Sequence, residues 1–313
     1  MSALSRSVVV DRPGGHRLVQ GPCPTPGPGE VRVRVAAAGL CMSDRELYDG
    51  HRDAAYVRYP VVPGHEWSGT VEAVGEGVDP ALAGRRTVAE GFRFCGACER
   101  CRYGETSLCT AGYDETGFTR SGAFADHVVV PARLLHPLPD EADPRAAALL
   151  EPAAVTAAAV RAGAPEPGER IAVLGAGTLG LLAVQLLAAF SPAELTVIDP
   201  RGERAALALD FGASEARAPQ DAEEVRGRYD LVVETAGAPG TAADACLLAR
   251  RGGRVVLTGA PSAAWSYAVR AFTSRLLDPA PLITHEFPLE RFGDAMALVG
   301  AGGPGTGKVL LRP

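Results

Sequence analysis

An apolar run, Arg170-Ile-Ala-Val-Leu174, leads into Gly175-Ala-Gly177-Thr178-Leu179-Gly180 and then into a second apolar stretch ending near Ala189. A strand that turns on glycines into a helix is the opening of a dinucleotide-binding βαβ unit, and it constrains this chain more than any other feature. Each glycine answers a different demand. Gly175 permits the tight turn, Gly177 lets the backbone approach a pyrophosphate, and Gly180 lets helix and strand close together. The unpaired N–H groups at Thr178, Leu179 and Gly180 then face the anion. A second apolar strand ends at Asp199, 24 positions after Gly175. A carboxylate there accepts hydrogen bonds from ribose hydroxyls and repels a 2′-phosphate, which favours NAD over NADP. Arg201 and Arg204 close by weaken that preference, because arginine accommodates phosphate.

The rest of the second half continues the alternation. Leu195–Asp199, Asp230–Thr235 and Gly253–Thr258 read as strands, and Thr178–Ala189, Gly202–Phe211 and Gly240–Arg250 as helices. Such βαβ order implies a doubly wound parallel sheet. The first third differs. Short alternating or apolar runs (Val31–Ala36, Gly69–Val74, Ala125–Val130) lie between Pro- and Gly-rich turns, as in a barrel or sandwich. The change comes near Glu151, where the alanine-rich, helix-favouring Ala153–Ala162 begins.

With 313 residues the chain has room for two domains. Its net charge of −6 argues against nucleic acid or an anionic membrane as main partner. The first ten residues lack the apolar core of a signal peptide. Ile171–Phe190 is apolar but carries three glycines in its first ten residues, which suits a buried strand and helix rather than a membrane span. A cytoplasmic protein is expected.

Cys95, Cys98, Cys101 and Cys109 are spaced C-x2-C-x2-C-x7-C. Four thiolates in one short lobe complete a closed tetrahedral zinc shell, and a closed shell is structural. An iron–sulfur cluster uses the same donors, but no other redox machinery is visible. Cys23 and Cys246 belong to no motif.

A second donor set is dispersed: Cys41 in Gly39-Leu-Cys41-Met-Ser43-Asp44, His65 and Glu66 in Pro63-Gly-His-Glu66, and Glu151 in Leu150-Glu-Pro152. Singly, each is ordinary. Together they supply one sulfur, one nitrogen and one or two oxygens, the set of three ligands plus an open position that a catalytic zinc requires. Neighbours on a regular strand point to opposite faces, so His65 and Glu66 cannot both ligate without a bend. One of Glu66 and Glu151 is then an outer partner, or the two exchange. A buried Glu66 needs a cation, and Lys308 is the candidate.

In this combination and order, the motifs resemble the zinc-containing medium-chain alcohol dehydrogenase family, along almost the whole chain to Gly307-Lys-Val-Leu-Leu-Arg312. The resemblance implies an α/β protein: a GroES-like β-barrel catalytic domain with two zinc sites over 1–152, a Rossmann NAD-binding domain over 153–279, and a return to the catalytic domain over 280–313. It implies that Cys41 and His65 are ligands. Glu151-Pro152 in place of a second cysteine looks like the polyol and threonine dehydrogenase branch. Tyr59-Pro-Val-Val-Pro-Gly-His-Glu-Trp-Ser-Gly69 and Gly117-Phe-Thr-Arg-Ser-Gly122 look similar to aminocyclitol (2-deoxy-scyllo-inosamine-type) dehydrogenases.

The expected reaction interconverts a secondary alcohol and a ketone on a polyol, cyclitol or amino sugar. Zinc acidifies the alcohol and hydride passes to the nicotinamide. Ser43 and His51 are candidates for a proton relay, His51 because imidazole exchanges protons near neutral pH. A surface role for His51 is equally consistent. Trp67, Tyr48, His51 and Arg120 are candidates to line a pocket for a small polar substrate. A ketone reductase running on NAD(P)H is the alternative, and a catalytically inactive nucleotide-binding subunit or sensor the alternative of a different class. The segment after Thr258 is shorter than the family's. It normally carries the dimer's edge strand, which leaves a homodimer, an altered dimer and a monomer all open.

Overall fold

The computed structural model describes residues 4–258, 264–303 and 305–313, and the shortened segment, 259–263, lies outside them. The first strands are β1 (Leu4–Arg12), β2 (Gly15–Pro22), β3 (Glu30–Gly39), β4 (Glu66–Val74), β5 (Arg86–Ala89), β6 (His127–Pro131) and β7 (Leu135–Pro137). Alternation sets their faces. On β3, Val31, Val33 and Val35 are buried while Arg32 and Arg34 between them face outward. Strand β3 pairs antiparallel with β4 on one side and β6 on the other, so Val31 lies opposite both Val74 and Val130.

The helices in chain order are α1 (Met42–Asp49), α2 (Glu99–Arg102), α3 (Pro144–Ala147), α4 (Leu150–Gly163), α5 (Thr178–Ala188), α6 (Gly202–Asp210), α7 (Thr241–Leu248), α8 (Trp265–Thr273) and α9 (Phe292–Ala301). The remaining strands are β8 (Arg170–Leu174), β9 (Glu194–Ile198), β10 (Glu215–Arg217), β11 (Tyr229–Glu234), β12 (Ala249–Leu257), β13 (Ile283–Pro288) and β14 (Lys308–Arg312).

Two compact units result. The first takes in Met1–Glu151 and Ile283–Pro313. Its seven-stranded sheet runs β13-β14-β3-β4-β5-β7, with β6 added on β3. The valines of its inner faces pack with Trp67, Phe118, Phe124 and Phe292 in one core. Trp67, a candidate for the substrate pocket, is thus a core residue, 3% exposed. The second unit, Pro152–Leu282, holds a five-stranded sheet in the order β10-β9-β8-β11-β12, parallel throughout. The order reverses beside β8, where a doubly wound sheet binds its ligand beyond the carboxyl ends of the strands. The chain is an α/β protein whose second unit is a doubly wound parallel sheet. Among the described residues, no helix is long and apolar enough to cross a membrane.

The second unit starts and ends within a few residues of 153–279: its boundaries lie after Glu151 and after Leu282. Strand β10 has no counterpart in the sequence reading. Its three residues, Glu-Ala-Arg, carry neither alternation nor an apolar run, and pairing with β9 makes them a strand.

Candidate functional site

The glycine turn of the second unit has the geometry a dinucleotide requires. Gly175 has φ 96°, and a Cβ there would meet the Ala236 backbone nitrogen at 2.9 Å. A Cβ on Gly180 would meet the Gly175 carbonyl oxygen at 1.8 Å, so only glycine lets α5 approach β8 this closely. Gly177 differs: nothing lies within 4 Å of a Cβ there, leaving room beside the backbone. Helix α5 begins at Thr178 with no side chain capping it, so its first N–H groups are available to an anion.

Asp199 is buried at the end of β9. Its Oδ2 accepts from the Ala176 N–H at 2.7 Å, and its Oδ1 from the Arg201 N–H at 2.8 Å and the Arg201 Nε at 3.0 Å. Burial alone would raise its pKa; Arg201 and the two amides outweigh it and hold the carboxyl below its ordinary value. Arg204, half-buried on α6, has its pKa lowered by burial and by Arg201. A cavity of about 220 Å³ opens beside this strand end, with Gly175, Ile198, Pro200 and Ala236 among its walls.

In the first unit the four cysteines converge. Cys95 Sγ and Cys101 Sγ lie 4.0 Å apart, as do Cys98 Sγ and Cys109 Sγ. A tetrahedron of Zn–S bonds of about 2.3 Å has sulfur–sulfur edges of about 3.8 Å, so the lobe fits zinc. Backbone N–H groups of Ala97 and Cys98 donate to Cys95 Sγ at 3.4 and 3.3 Å. Backbone amides of Thr110 and Cys101 lower the Cys98 pKa to about 5, whereas burial raises Cys101 to about 12. Thiolate-favouring amides around a four-sulfur cluster suit a cation.

The dispersed donors also meet. Cys41, His65 and Glu66 place a sulfur, a nitrogen and an oxygen within 4.8 Å of one another. The obstacle of opposite faces is removed by the chain itself: β4 begins only at Glu66, and Gly64 before it takes φ 100°, so His65 is not on the strand. A Cβ on Gly64 would meet Phe124 at 2.5 Å. His65 Nδ1, Asp44 Oδ1 and Glu66 Oε2 are all buried, and their partners are one another and Lys308: Asp44 Oδ1 lies 3.3 Å from His65 Nδ1, and Glu66 Oε2 pairs with Lys308 Nζ. One sulfur, one nitrogen and one oxygen brought this close in a buried place are the donor set of a catalytic zinc, and the residues fit the zinc that the family implies. Lys308 Nζ ion-pairs with Glu66 Oε2, and the two side chains are 5% and 1% exposed. Glu151 lies outside this group of three donors. Burial raises its pKa to about 7; His65 opposes the rise, and Glu66 and Glu115 add to it.

Asp44 is a residue that sequence reading passed over. One of its oxygens accepts from the Cys41 N–H at 2.9 Å, capping α1, and the other lies 3.3 Å from His65 Nδ1. Burial would lower the His65 pKa, but Asp44, and then Cys41, raise it well above the ordinary value. The signal was present as an acid at the third helical position, which reads as a cap and nothing more. Phe118 stacks near His65, with ring centroids 4.8 Å apart, and carries the Arg52 guanidinium 3.7 Å from its own centroid. Ser43 Oγ lies 3.7 Å from Cys41 Sγ. His51 is exposed beyond the left-handed Gly50, and among the described residues no hydrogen bond joins it to Ser43. Tyr48 bonds to His16, and Arg120 to Asp114, so neither is free to line a pocket unaided.

Comparison with known proteins identifies the family. The alcohol dehydrogenase GroES-like domain family matches residues 27–140, and the zinc-binding dehydrogenase family matches residues 178–287. The starvation-sensing protein RspB of Escherichia coli K12 is 31% identical, over 94% of this chain and 95% of its own. Galactitol 1-phosphate 5-dehydrogenase of the same organism is 33% identical, over 98% of this chain and 100% of its own. A solved structure, the short chain alcohol dehydrogenase rspB of Escherichia coli CFT073 complexed with NADH, superposes with a TM-score of 0.90 at 29% identity and covers 99% of both chains. With both families matched in order and relatives of this identity spanning nearly its full length, the chain belongs to the zinc-containing medium-chain alcohol dehydrogenases, in the polyol and threonine dehydrogenase branch, and is an oxidoreductase.

Proposed function

We propose that this protein is a zinc-dependent, NAD-linked dehydrogenase that interconverts a secondary alcohol and its ketone on a small polyol, cyclitol or amino sugar. The observation that carries the reading is the convergence of Cys41 with the buried His65 and Glu66, their donor atoms within 4.8 Å of one another. Cys41, His65 and a carboxylate would hold a zinc ion, which would supply the Lewis acidity that lowers the pKa of an alcohol.

The chain's own residues do the rest. Asp44 holds the His65 ring by its oxygen 3.3 Å from Nδ1, so that Nε2 would be the nitrogen left for a metal. Lys308 balances Glu66, so a carboxylate is kept charged in a buried site. Glu151, close enough to His65 and Glu66 for their charges to act on it, is the second carboxylate that could exchange with Glu66 at the metal. Ser43, two residues from Cys41, is placed to accept the alcohol's proton, and the exposed His51 to exchange it with water. In the Rossmann unit, Thr178, Leu179 and Gly180 present N–H groups to the pyrophosphate. Asp199 takes the ribose hydroxyls, and the cavity walled by Ile198, Pro200 and Ala236 takes the adenine. Arg204 on α6 is close enough to Arg201 and Asp199 for their charges to act on it.

NAD+ reduction followed at 340 nm against polyols, aminocyclitols and amino sugars tests the reading, with zinc counted on the same sample. The expected result is two zincs per chain and turnover on at least one member of the panel. Two zincs with no turnover in either direction, with NAD or NADP, would overturn it and favour the nucleotide-binding sensor. That second reading is supported by the likeness to a protein named for starvation sensing.

Two substitutions divide the roles. Asp199→Ala is expected to raise the KM for NAD+ about 10- to 100-fold, the ~1.5–3 kcal/mol of a charge-assisted hydrogen bond, and to narrow the preference over NADP+. An unchanged ratio of the two KM values removes Asp199 from cofactor selection. Ser43→Ala should lower kcat by about 10²-fold, a common size for an assisted proton transfer, with both zincs retained. Wild-type kcat removes Ser43 from the mechanism.

A further inference from the structure

A second cluster of metal-ligating side chains lies on the outer face of the first unit's sheet. His127 begins β6 and Glu72 sits on β4, on opposite sides of β3. Because side chains alternate, Arg32 and Arg34 of β3 project to the same outer face, between them. Cys23 follows β2 and reaches this face from the loop. Its Sγ, a Glu72 carboxylate oxygen and a His127 ring nitrogen all lie within 4.8 Å of one another.

The state of His127 sets the cluster apart from a surface ion pair. Its side chain is 7% exposed, yet Nε2 has no hydrogen-bond partner, although Glu72 Oε2 is only 3.0 Å away. The other nitrogen, Nδ1, lies 3.1 Å from Ser5 Oγ. Ser5 can accept the Nδ1 proton, and a cation would then take the Nε2 lone pair and relieve its repulsion from the Glu72 carboxylate 3.0 Å away. A hydrogen-bonded Nδ1 with a free Nε2 is the form in which imidazole ligates metals. A buried nitrogen without a partner is otherwise costly.

We propose that Cys23, Glu72 and His127 form a third metal site, separate from both family zinc centres, that takes Zn2+ with water in the fourth position. One thiolate, one imidazole and one carboxylate are zinc's ordinary donors, and tetrahedral closure needs the three to draw together by about 1 Å. On binding, the Cys23 thiol gives its proton to solvent as the Zn–S bond forms. Glu72 Oε2 turns to the ion, while Oε1 stays with Arg34. Arg32, which donates to Oε2 at 3.1 Å, keeps its second bond to the Pro24 carbonyl. The two arginines repel the ion, Arg34 less because it is 66% exposed and screened. The site is therefore weaker than the four-cysteine lobe and releases its zinc first to a chelator.

The test uses the purified holoenzyme with both family zincs in place, dialysed against Zn2+ alone, then metal counted. Wild type is expected to hold one more equivalent than Cys23→Ser and than His127→Asn. Dehydrogenase activity should be unchanged in both, because neither residue belongs to the catalytic or cofactor machinery. A second measurement needs no variant. Zinc should protect one thiol of the holoenzyme from a maleimide while the exposed Cys246 still reacts. Equal stoichiometry in wild type and variants, or no thiol protected, overturns the site, and neither outcome touches the dehydrogenase reading.

Discussion

His65→Ala is expected to cost one zinc equivalent and to lower kcat/KM by at least about 10³-fold, or ~4 kcal/mol of transition-state stabilisation. Three donors with one open position are the minimum for a catalytic zinc, and removing the imidazole leaves a thiolate and a carboxylate. The loss should be confined to this centre. The four-cysteine lobe uses none of its residues, so one zinc stays bound and the thermal transition is kept. The Asp44 carboxylate then lies buried with its neighbour gone, capping α1 through the Cys41 amide alone. Metal counting beside kcat/KM on whichever alcohol the panel identifies checks the result. Retention of both zincs with normal kcat/KM would remove His65 from the site. Loss of both zincs would mean that the two centres are coupled.

The second large effect is on stability. Lys308→Met should destabilise the protein by about 3–5 kcal/mol, because it leaves the Glu66 carboxylate buried at 1% exposure without its cation. Burial alone would depress the Lys308 pKa; Glu66, then Cys41, outweigh it, and the ammonium is held above its ordinary value. The sign follows. A raised lysine pKa contributes stability at neutral pH that disappears only as pH rises through it, so the wild-type–variant gap should persist from pH 6 to 9. Zinc retention should weaken as well, since a carboxylate without a counter-ion tends to take up a proton that competes with the metal. Adding Glu66→Gln to Lys308→Met should recover most of the lost stability but not the zinc. Denaturant midpoints for the single and double variants decide this. A single variant as stable as wild type would show that the pair contributes nothing.

Much of the Rossmann unit was legible. Arg170–Leu174 is β8 to the residue, and the predicted helix Thr178–Ala189 ends one residue late. The glycine roles read from the motif reappear as a left-handed turn at Gly175 and a blocked Cβ at Gly180. These features are local, written in spacings of a few residues. Less was legible where pairing decides. Strand β10 exists because β9 accepts it, and the strand read as Gly253–Thr258 begins at Ala249 because β11 extends its pairing. In the candidate site, Cys41, His65 and Glu66 were named together, but their compatibility was not, since it depends on Gly64 turning the chain before β4.

The sequence by itself determined the glycine turn, the four-cysteine lobe and the order of strands and helices. Those depend on residues close in the chain, where backbone geometry leaves few choices. Only the tertiary structure decided which distant groups meet and in what charge state. Asp44 reaches His65, and Cys23, Glu72 and His127 assemble on one face through strands on either side of β3, whereas the Lys308–Glu66 pair was already the sequence's candidate and the fold supplies it. Glu151 has its pKa raised by desolvation and by the neighbouring Glu66 and Glu115 carboxylates, which the fold brings beside it. Desolvation belongs to the surroundings of a group, and those surroundings come from parts of the chain that no local spacing connects.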